Sequence, residues 1–461
     1  MIGLVLTLLS IAGAWLATRR SLGHGLGAVL LVGYFYGILR ARFPDGFSHF
    51  MFDGAVAGLY VAILLRRKRK MRYGHDGQVL RLWVRVLMVW PLFTMVLSPL
   101  FDSQHFFIQL VGLRVAILLL PLIAIGAQLT AEEVDSLGEW VLWLNLVAFL
   151  FALLELRLGV EAFFPQNAVT YLLYMSNDVG AERALRIPAI FNTGHAYGGT
   201  MLLSLPVLVR RWQRRPSSRV LTAASLVASL LGIFLCAARS PVVQLVGILG
   251  LLLLVVGLSW RMLASMGGLA VVVGFIVLSS PRFQRFLTLE DTGYVTERVS
   301  WSVNASLLEV LTQYPLGNGL GSAGGTSIPF FLTDLAKPQH GLENEFGRIA
   351  MEQGLIGLVL WMTFLLWLFT RLPPRRKGAA LVSERMMWAS MLVMWGTAFI
   401  GTGLLSSIPG TALLLLWMGI VVGTRRPAPA APRPPLTAPQ VSAPPASVMA
   451  PPSTRLSEGS V

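Results

Sequence analysis

Charge is what this chain has least of. Only 13% of its 461 residues are Asp, Glu, Lys or Arg, whereas 55% are hydrophobic. A soluble protein of this length would carry about a quarter charged residues. A water-solvated globular fold is therefore excluded, and the mean hydropathy of +0.68 fits an integral membrane protein. Cysteine is nearly absent. The single Cys236 lies in an apolar run and excludes both an internal disulfide and a cysteine metal cluster. No HExxH, Walker A run or GxSxG elbow occurs, and no set of His, Asp and Glu has metal-ligand spacing. Neither a metal nor a cofactor is expected. Acidic residues number 22 against 37 basic ones, a net charge of +15. Such an excess can signal nucleic acid, but the basic residues here cluster at the ends of apolar runs, where membrane orientation accounts for them. The amino-terminal run lacks a basic segment ahead of it, so it is expected to be a retained first span rather than a cleaved signal.

What is present in abundance is long apolar sequence. Runs such as Val242–Leu258 and Leu355–Phe369 are nearly unbroken, which fits transmembrane helices and not the alternation of barrel strands. The expected architecture is an all-α, polytopic membrane protein. Candidate spans cover 2–17, 23–39, 51–65, 80–99, 106–128, 139–158, 193–209, 220–237, 241–258, 262–280, 346–370, 385–404 and 408–423. Several are short, so the expected total is about 12–14. The basic clusters Arg19-Arg20, Arg66 to Lys70, Arg210 to Arg215, Arg375 to Lys377 and Arg425-Arg426 then share one side, cytoplasmic by the positive-inside rule. The acidic link Glu132-Glu133-Val134-Asp135 falls on that side too, where carboxylates count for little. The amino terminus is expected outside and the carboxyl terminus inside. The two longest internal loops, about 159–192 and 281–345, fall on the outer face with the short turn Ala238-Arg239-Ser240. Residues 1–424 would form the membrane domain. Residues 425–461, rich in Pro, Ala and Ser, would be a disordered cytoplasmic tail.

Polar chemistry concentrates in the outer loops. Gly319 to Gly324 matches GxGxxG, but a dinucleotide fingerprint needs a preceding strand and a βαβ unit. A tight turn near the membrane surface, whose backbone N–H groups can approach a ligand, is expected instead. Arg186 precedes Asn192, His195 and Tyr197, with Gly194 and Gly198 between; a lipid-facing interfacial arginine and a binding arginine both fit. Arg239 sits between two spans with almost no loop, at or just inside the boundary, where charge is costly and commonly functional. Arg298 opens a segment in which Trp301, Ala305, Leu308 and Leu311 recur at helical spacing, a stripe expected to pack on the membrane surface or on the spans. Asn304-Ala305-Ser306 is a formal glycosylation sequon, discounted because a helix is expected there. Arg114, deep in the fifth span, either pairs with a carboxylate such as Glu155 or snorkels. His340, Glu343, Asn344, Glu345 and Arg348 close the second loop. A general base and a helix cap are both open readings for them.

Taken in order, these segments resemble the O-antigen polymerase and ligase superfamily. Arg298, Trp301 and Pro315-Leu316-Gly317-Asn318-Gly319-Leu320-Gly321 are similar to its R…W…PLxGxGxG segment. Glu343-Asn344 with Glu352-Gln353-Gly354-Leu355-Ile356-Gly357 is similar to its HN…ExGxxG segment. Ala238-Arg239-Ser240 resembles its SR motif, and Arg186 with Phe191-Asn192 its first outer-loop arginine motif. The match covers roughly 186–370. It implies a glycosyltransferase of the bacterial inner membrane that takes glycan from undecaprenyl diphosphate on the periplasmic face, with no nucleotide. A chain-length regulator would be an expected partner. Arg186, Arg239 and Arg298 would contact diphosphate, with Asn344, Gly319, Gly321 and His195 supporting the loop and substrate.

Two departures bear on the reaction. Glu343 stands where the family usually has histidine before Asn, with His340 one helical turn earlier, so the base is Glu343 or His340. Ala238 stands where the SR motif often has Ser or Thr. Loss of the histidine favours a polymerase of O-antigen or exopolysaccharide repeat units over a ligase that transfers glycan to lipid A core. A transporter or flippase would instead carry charges along many spans or an internal repeat with broken helices. Beyond Arg114 and Pro121 neither pattern is visible.

Overall fold

The computed structural model describes residues 2–66, 74–100, 103–165, 178–179, 184–256, 268, 292–323, 328–337, 340–373, 380–401 and 403–424. The expected span 262–280, most of the loop stretch before residue 292, and the tail from 425 onward lie outside the described residues. Apart from a hairpin of two-residue strands, Asp178–Val179 against Ala184–Leu185, the regular structure among the described residues is helical.

The first half of the chain contributes α1 (Ile2–Arg20), α2 (Leu22–Arg42), α3 (Met51–Leu65), α4 (His75–Leu97), α5 (Phe106–Ile117), α6 (Pro121–Gly126) and α7 (Ala131–Leu158). The second half contributes α8 (Gly194–Arg214), α9 (Arg219–Leu235), α10 (Arg239–Val256), α11 (Thr292–Val303), α12 (Glu309–Gln313), α13 (Glu345–Phe369), α14 (Ala380–Thr397) and α15 (Gly410–Gly423). Helix starts are written in the sequence as oxygen-bearing caps. Ser21 accepts from the His24 amide, Thr193 from Ala196, and Thr130 forms a reciprocal capping box with Glu133.

Eight segments of the described residues are long and apolar enough to cross a membrane, the one beginning at Ile2 and the one ending at Phe369 among them. Their outward faces carry exposed Leu8, Leu9, Val61, Val89 and Val96. Apolar side chains on the outside of apolar helices mark a membrane-embedded helical protein. Four more expected spans form helices in place, α8, α10, α14 and α15, but are not among those eight. The physical reasons differ. α10 and α15 are short, whereas α8 ends in Arg210, Arg211 and Arg214, and α14 carries Glu384 and Arg385.

α8 and α15 form the interior. α15 is buried along almost its whole length, as a helix apolar all round must be. The Trp417 indole donates to the Leu203 carbonyl of α8 at 2.8 Å. The end of α8 meets the start of α7 in ion pairs. Asp135 accepts from Arg210 at 2.8 Å and from Arg214 at 2.9 Å. The acidic link that looked out of place among basic clusters therefore neutralises one of them. Arg114 makes its ion pair with Asp53 of α3, at 2.5 Å. Glu155 is engaged elsewhere, its carboxylate accepting from the Ala189 amide at 2.8 Å.

At the opposite end from the Asp135 pairs, several connections converge. The Ile38 amide of α2 donates to the Ile190 carbonyl, just before α8, at 3.2 Å. Arg42 reaches the carbonyl of Phe163 at 3.0 Å, beyond α7. The Glu345 amide, at the start of α13, donates to Ala398 at the end of α14 at 2.9 Å. The residues singled out in the sequence gather here.

Candidate functional site

Asn344 caps α13. Its Oδ1 accepts from the amides of Phe346 and Gly347 at 2.9 and 3.1 Å, and its Nδ2 donates to the Ser302 carbonyl of α11 at 3.1 Å. One fully buried side chain thus ties the helix start to the segment bearing Arg298. The Glu343 amide adds a bond to Ser306 Oγ at 3.2 Å. With the two backbones so held, Glu343 and Arg298 form an ion pair of 2.6 Å between Oε2 and Nη1. Both side chains are partly exposed, at 34% and 46%, while the contacting Glu343 Oε2 is itself buried. His340, half-buried, sets its ring edge-on against Tyr314 with centroids 5.5 Å apart.

The apolar stripe expected around Trp301 is divided: Trp301 and Leu308 point away from the protein, whereas Leu311 packs against the core. Trp301 and Leu308 are 56% and 51% exposed, while Ser302, Ser306 and Val310 are buried. A π-helical turn at Asn304–Leu308 shifts the register between α11 and α12. Of the two surfaces the stripe could pack on, the spans are not the one that receives these two side chains.

The glycine turn also has a different role from the one expected of it. Gly317, Gly319 and Gly321 all have positive φ, 84°, 83° and 76°, but their backbone meets α13 rather than open space. The Asn318 amide donates to the Met351 carbonyl at 2.7 Å, and the Gly321 amide donates to the Glu352 carboxylate. The Leu355 amide returns a bond to Pro315 at 2.9 Å. α13 is kinked at Gly354, with φ 72° and ψ −176°, to receive the turn. A Cβ on Gly317 would stand 2.7 Å from the Gly354 nitrogen. These glycines permit close backbone approach, and the Gly321 amide, one of those expected to approach a ligand, is already used.

Beneath the turn, Arg348 is bound by two buried carboxylates, Glu345 at 2.5 Å and Glu352 at 3.0 Å. Glu345 also accepts from the Gly403 and Leu404 amides at 2.8 and 3.2 Å. These groups hold α13 to the connection before α15 and are closed to solvent.

Arg186 and Arg239 occupy a second part of the same end. Arg186 Nη1 lies 3.0 Å from His195 Nδ1, on the first turn of α8. Gly194 lets that turn press on the α9–α10 connection. A Cβ there would stand 2.9 Å from the Cys236 carbonyl oxygen and 3.1 Å from Arg186 Cβ. Arg239 begins α10 three residues later, so Arg186, His195 and Arg239 come from segments in contact. Two alanines beside them, Ala189 and Ala237, hold left-handed φ values of 53° and 51°, strained for residues with a Cβ. Gln244 of α10 donates to Thr397 of α14 at 2.9 Å, next to the Ala398 carbonyl that receives Glu345. The arginine group and the Arg298–Glu343 pair are thereby anchored to one framework.

The chain matches no protein-family model and no curated protein. One group at this end was not found from sequence. Arg40, His49, Asp53 and Arg114 come together around a cavity with Asn192. Arg114 reads alone as a span arginine that pairs with a carboxylate or snorkels, and Arg40, His49 and Asp53 lie far from it in sequence.

Proposed function

We propose that the chain is a polysaccharide polymerase of the bacterial inner membrane, with about 12–14 spans. It would join undecaprenyl-diphosphate-linked repeat units of O-antigen or exopolysaccharide on the periplasmic face. The observation that most favours this reading is the 2.6 Å contact between Arg298 and Glu343. It couples a guanidinium suited to gripping diphosphate oxygens to a carboxylate suited to accepting a proton, in the two segments that carry the family resemblance. Arg186 and Arg239, on touching segments at the same end, supply further cations for a diphosphate.

The pairing suggests how the base is controlled. In the ion pair the guanidinium occupies a carboxylate oxygen that would have to meet an acceptor hydroxyl. When the donor diphosphate takes over Arg298, Glu343 is released. The acceptor hydroxyl oxygen then bonds to the anomeric carbon of the donor and its proton passes to Glu343. The bond from that carbon to the diphosphate oxygen breaks, and its electron pair leaves with undecaprenyl diphosphate, stabilised by the arginines. Glu345 and Glu352 do not compete for this role, since both are buried against Arg348. The sugar–diphosphate bond supplies the driving force.

Arg298→Ala or Arg239→Ala should abolish long polymer while single repeats persist, read from the glycan ladder of cells carrying each variant. Unchanged chain length in both variants would defeat the reading. Unattached long chains on deletion of the protein would indicate the ligase reaction instead.

A further inference from the structure

Arg40 lies close to the end of α2 and is 6% exposed. Its Nη1 donates to the Tyr36 hydroxyl at 3.4 Å and its Nη2 to His49 Nε2 at 2.9 Å, while its buried Nε has no hydrogen-bond partner. A guanidinium can only donate, so the facing imidazole nitrogen must accept, and His49 brings no positive charge of its own. Among the described residues no carboxylate pairs with Arg40. Arg114, on the facing wall, is neutralised by Asp53 through contacts of 2.5 and 2.9 Å. The wall therefore carries one uncompensated positive charge. Burying a guanidinium without a counter-charge is costly, which favours an anion that joins it.

These groups line a cavity of about 60 Å³, with Asn192 and Ser406 also in its wall. Asn192 Oδ1 is buried there with no donor. Phe47 and Phe50, which flank His49 in sequence, are 50% and 39% exposed.

We propose that this cavity binds a hydroxyl-bearing phosphodiester, supplied by an anionic lipid headgroup. One negative charge matches the single uncompensated guanidinium. A diphosphate, with at least two charges, would leave the buried wall net negative. The non-bridging oxygens receive Arg40, and a headgroup hydroxyl donates to Asn192 Oδ1. Phe47 and Phe50 give the acyl chains apolar ground outside. The proposal does not depend on the polymerase reading.

The test uses the full chain in phosphatidylcholine nanodiscs doped with phosphatidylglycerol, with lipid retention measured by native mass spectrometry. The protein should retain phosphatidylglycerol over phosphatidylcholine, and Arg40→Ala should lower that retention about tenfold or more. Ser406→Leu, which fills the cavity and keeps Arg40, should lower it as well, with the thermal midpoint of each variant showing that it is folded. Soluble glycerophosphoglycerol serves as the second probe. If it binds and is lost in Arg40→Ala while the lipid is not retained, the phosphodiester chemistry holds and its source is soluble. Equal retention by all three proteins would overturn the proposal. So would loss of polyprenyl diphosphate binding in Arg40→Ala with phosphatidylglycerol untouched.

Discussion

Gly354→Ala is expected to destabilise the protein through backbone geometry alone. Gly354 has φ 72° and ψ −176°, a region that side chains with a Cβ occupy only at about 1–3 kcal/mol of strain. The new Cβ would also stand 2.6 Å from the Leu316 carbonyl carbon and 3.1 Å from the Gly317 nitrogen. Both are backbone atoms, so the turn itself must retreat. That retreat breaks the bonds from Asn318 to Met351 and from Leu355 to Pro315, 2.7 and 2.9 Å long, at about 0.5–1.5 kcal/mol each. The combined loss is about 2–6 kcal/mol. The assay is thermal and denaturant unfolding of the purified chain in nanodiscs, with Gly396→Ala as its partner. Gly396 lies on the exposed side of α14 and has nothing within 4 Å of the position a Cβ would take. Alanine there should stabilise by about 0.5–1 kcal/mol. Opposite shifts are expected. A midpoint for Gly354→Ala equal to that of the unaltered protein would refute the kink as a geometric requirement.

Arg348→Met should cost about 3–5 kcal/mol, because it strands two buried carboxylates, and replacing Glu345 and Glu352 by Gln in the same chain should recover much of that loss in the unfolding midpoint. Glu343→Gln should slow elongation about 10²–10⁴-fold with donor binding retained, measured by repeat transfer from purified lipid-linked substrate; full activity would move the base elsewhere. Asp45 gives a pH dependence. Burial pushes its carboxyl up, but the Gly3 and Ser48 amides donating to it outweigh that and hold it below the usual carboxylate range. A lowered folded value means that its contribution is present above the unfolded value and lost as pH falls through the folded one. The difference in thermal midpoint between the unaltered chain and Asp45→Ala should therefore be constant above about pH 5 and shrink as the pH falls through and below about 4.

Helix positions were legible because apolar runs of span length permit little else in lipid. α8 and α15 appeared at their expected places even though burial, not lipid contact, accounts for much of their apolar surface. Partnerships across the chain were not legible. Arg114 finds Asp53 on α3, a choice made by packing between segments far apart in sequence. The stripe of Trp301 and Leu308 was read correctly as a helix, but its inner face is marked by Ser302 and Ser306. In a bilayer-bound protein apolar periodicity does not by itself say which side faces the core. The glycine turn was recognised as a turn, yet nothing in its own residues tells that Met351 and Glu352 will take its amides. Candidate residues Arg298, Glu343, Asn344 and His340 were drawn together by their order in one loop. The Arg40 group has no such local signature.

The interlocked turn also bears on how the protein can diversify. Gly317, Gly319, Gly321 and Gly354 are fixed by backbone conformation and by the lack of room for a Cβ. The residues between them are under unequal constraint: Leu320 is fully buried, whereas Leu316 is 63% exposed and Asn318 is half-buried. Side chains at 316 and 318 can be exchanged to present a new surface without disturbing the fold. Freedom of surface chemistry and fixity of backbone thus alternate residue by residue along one short strip of sequence.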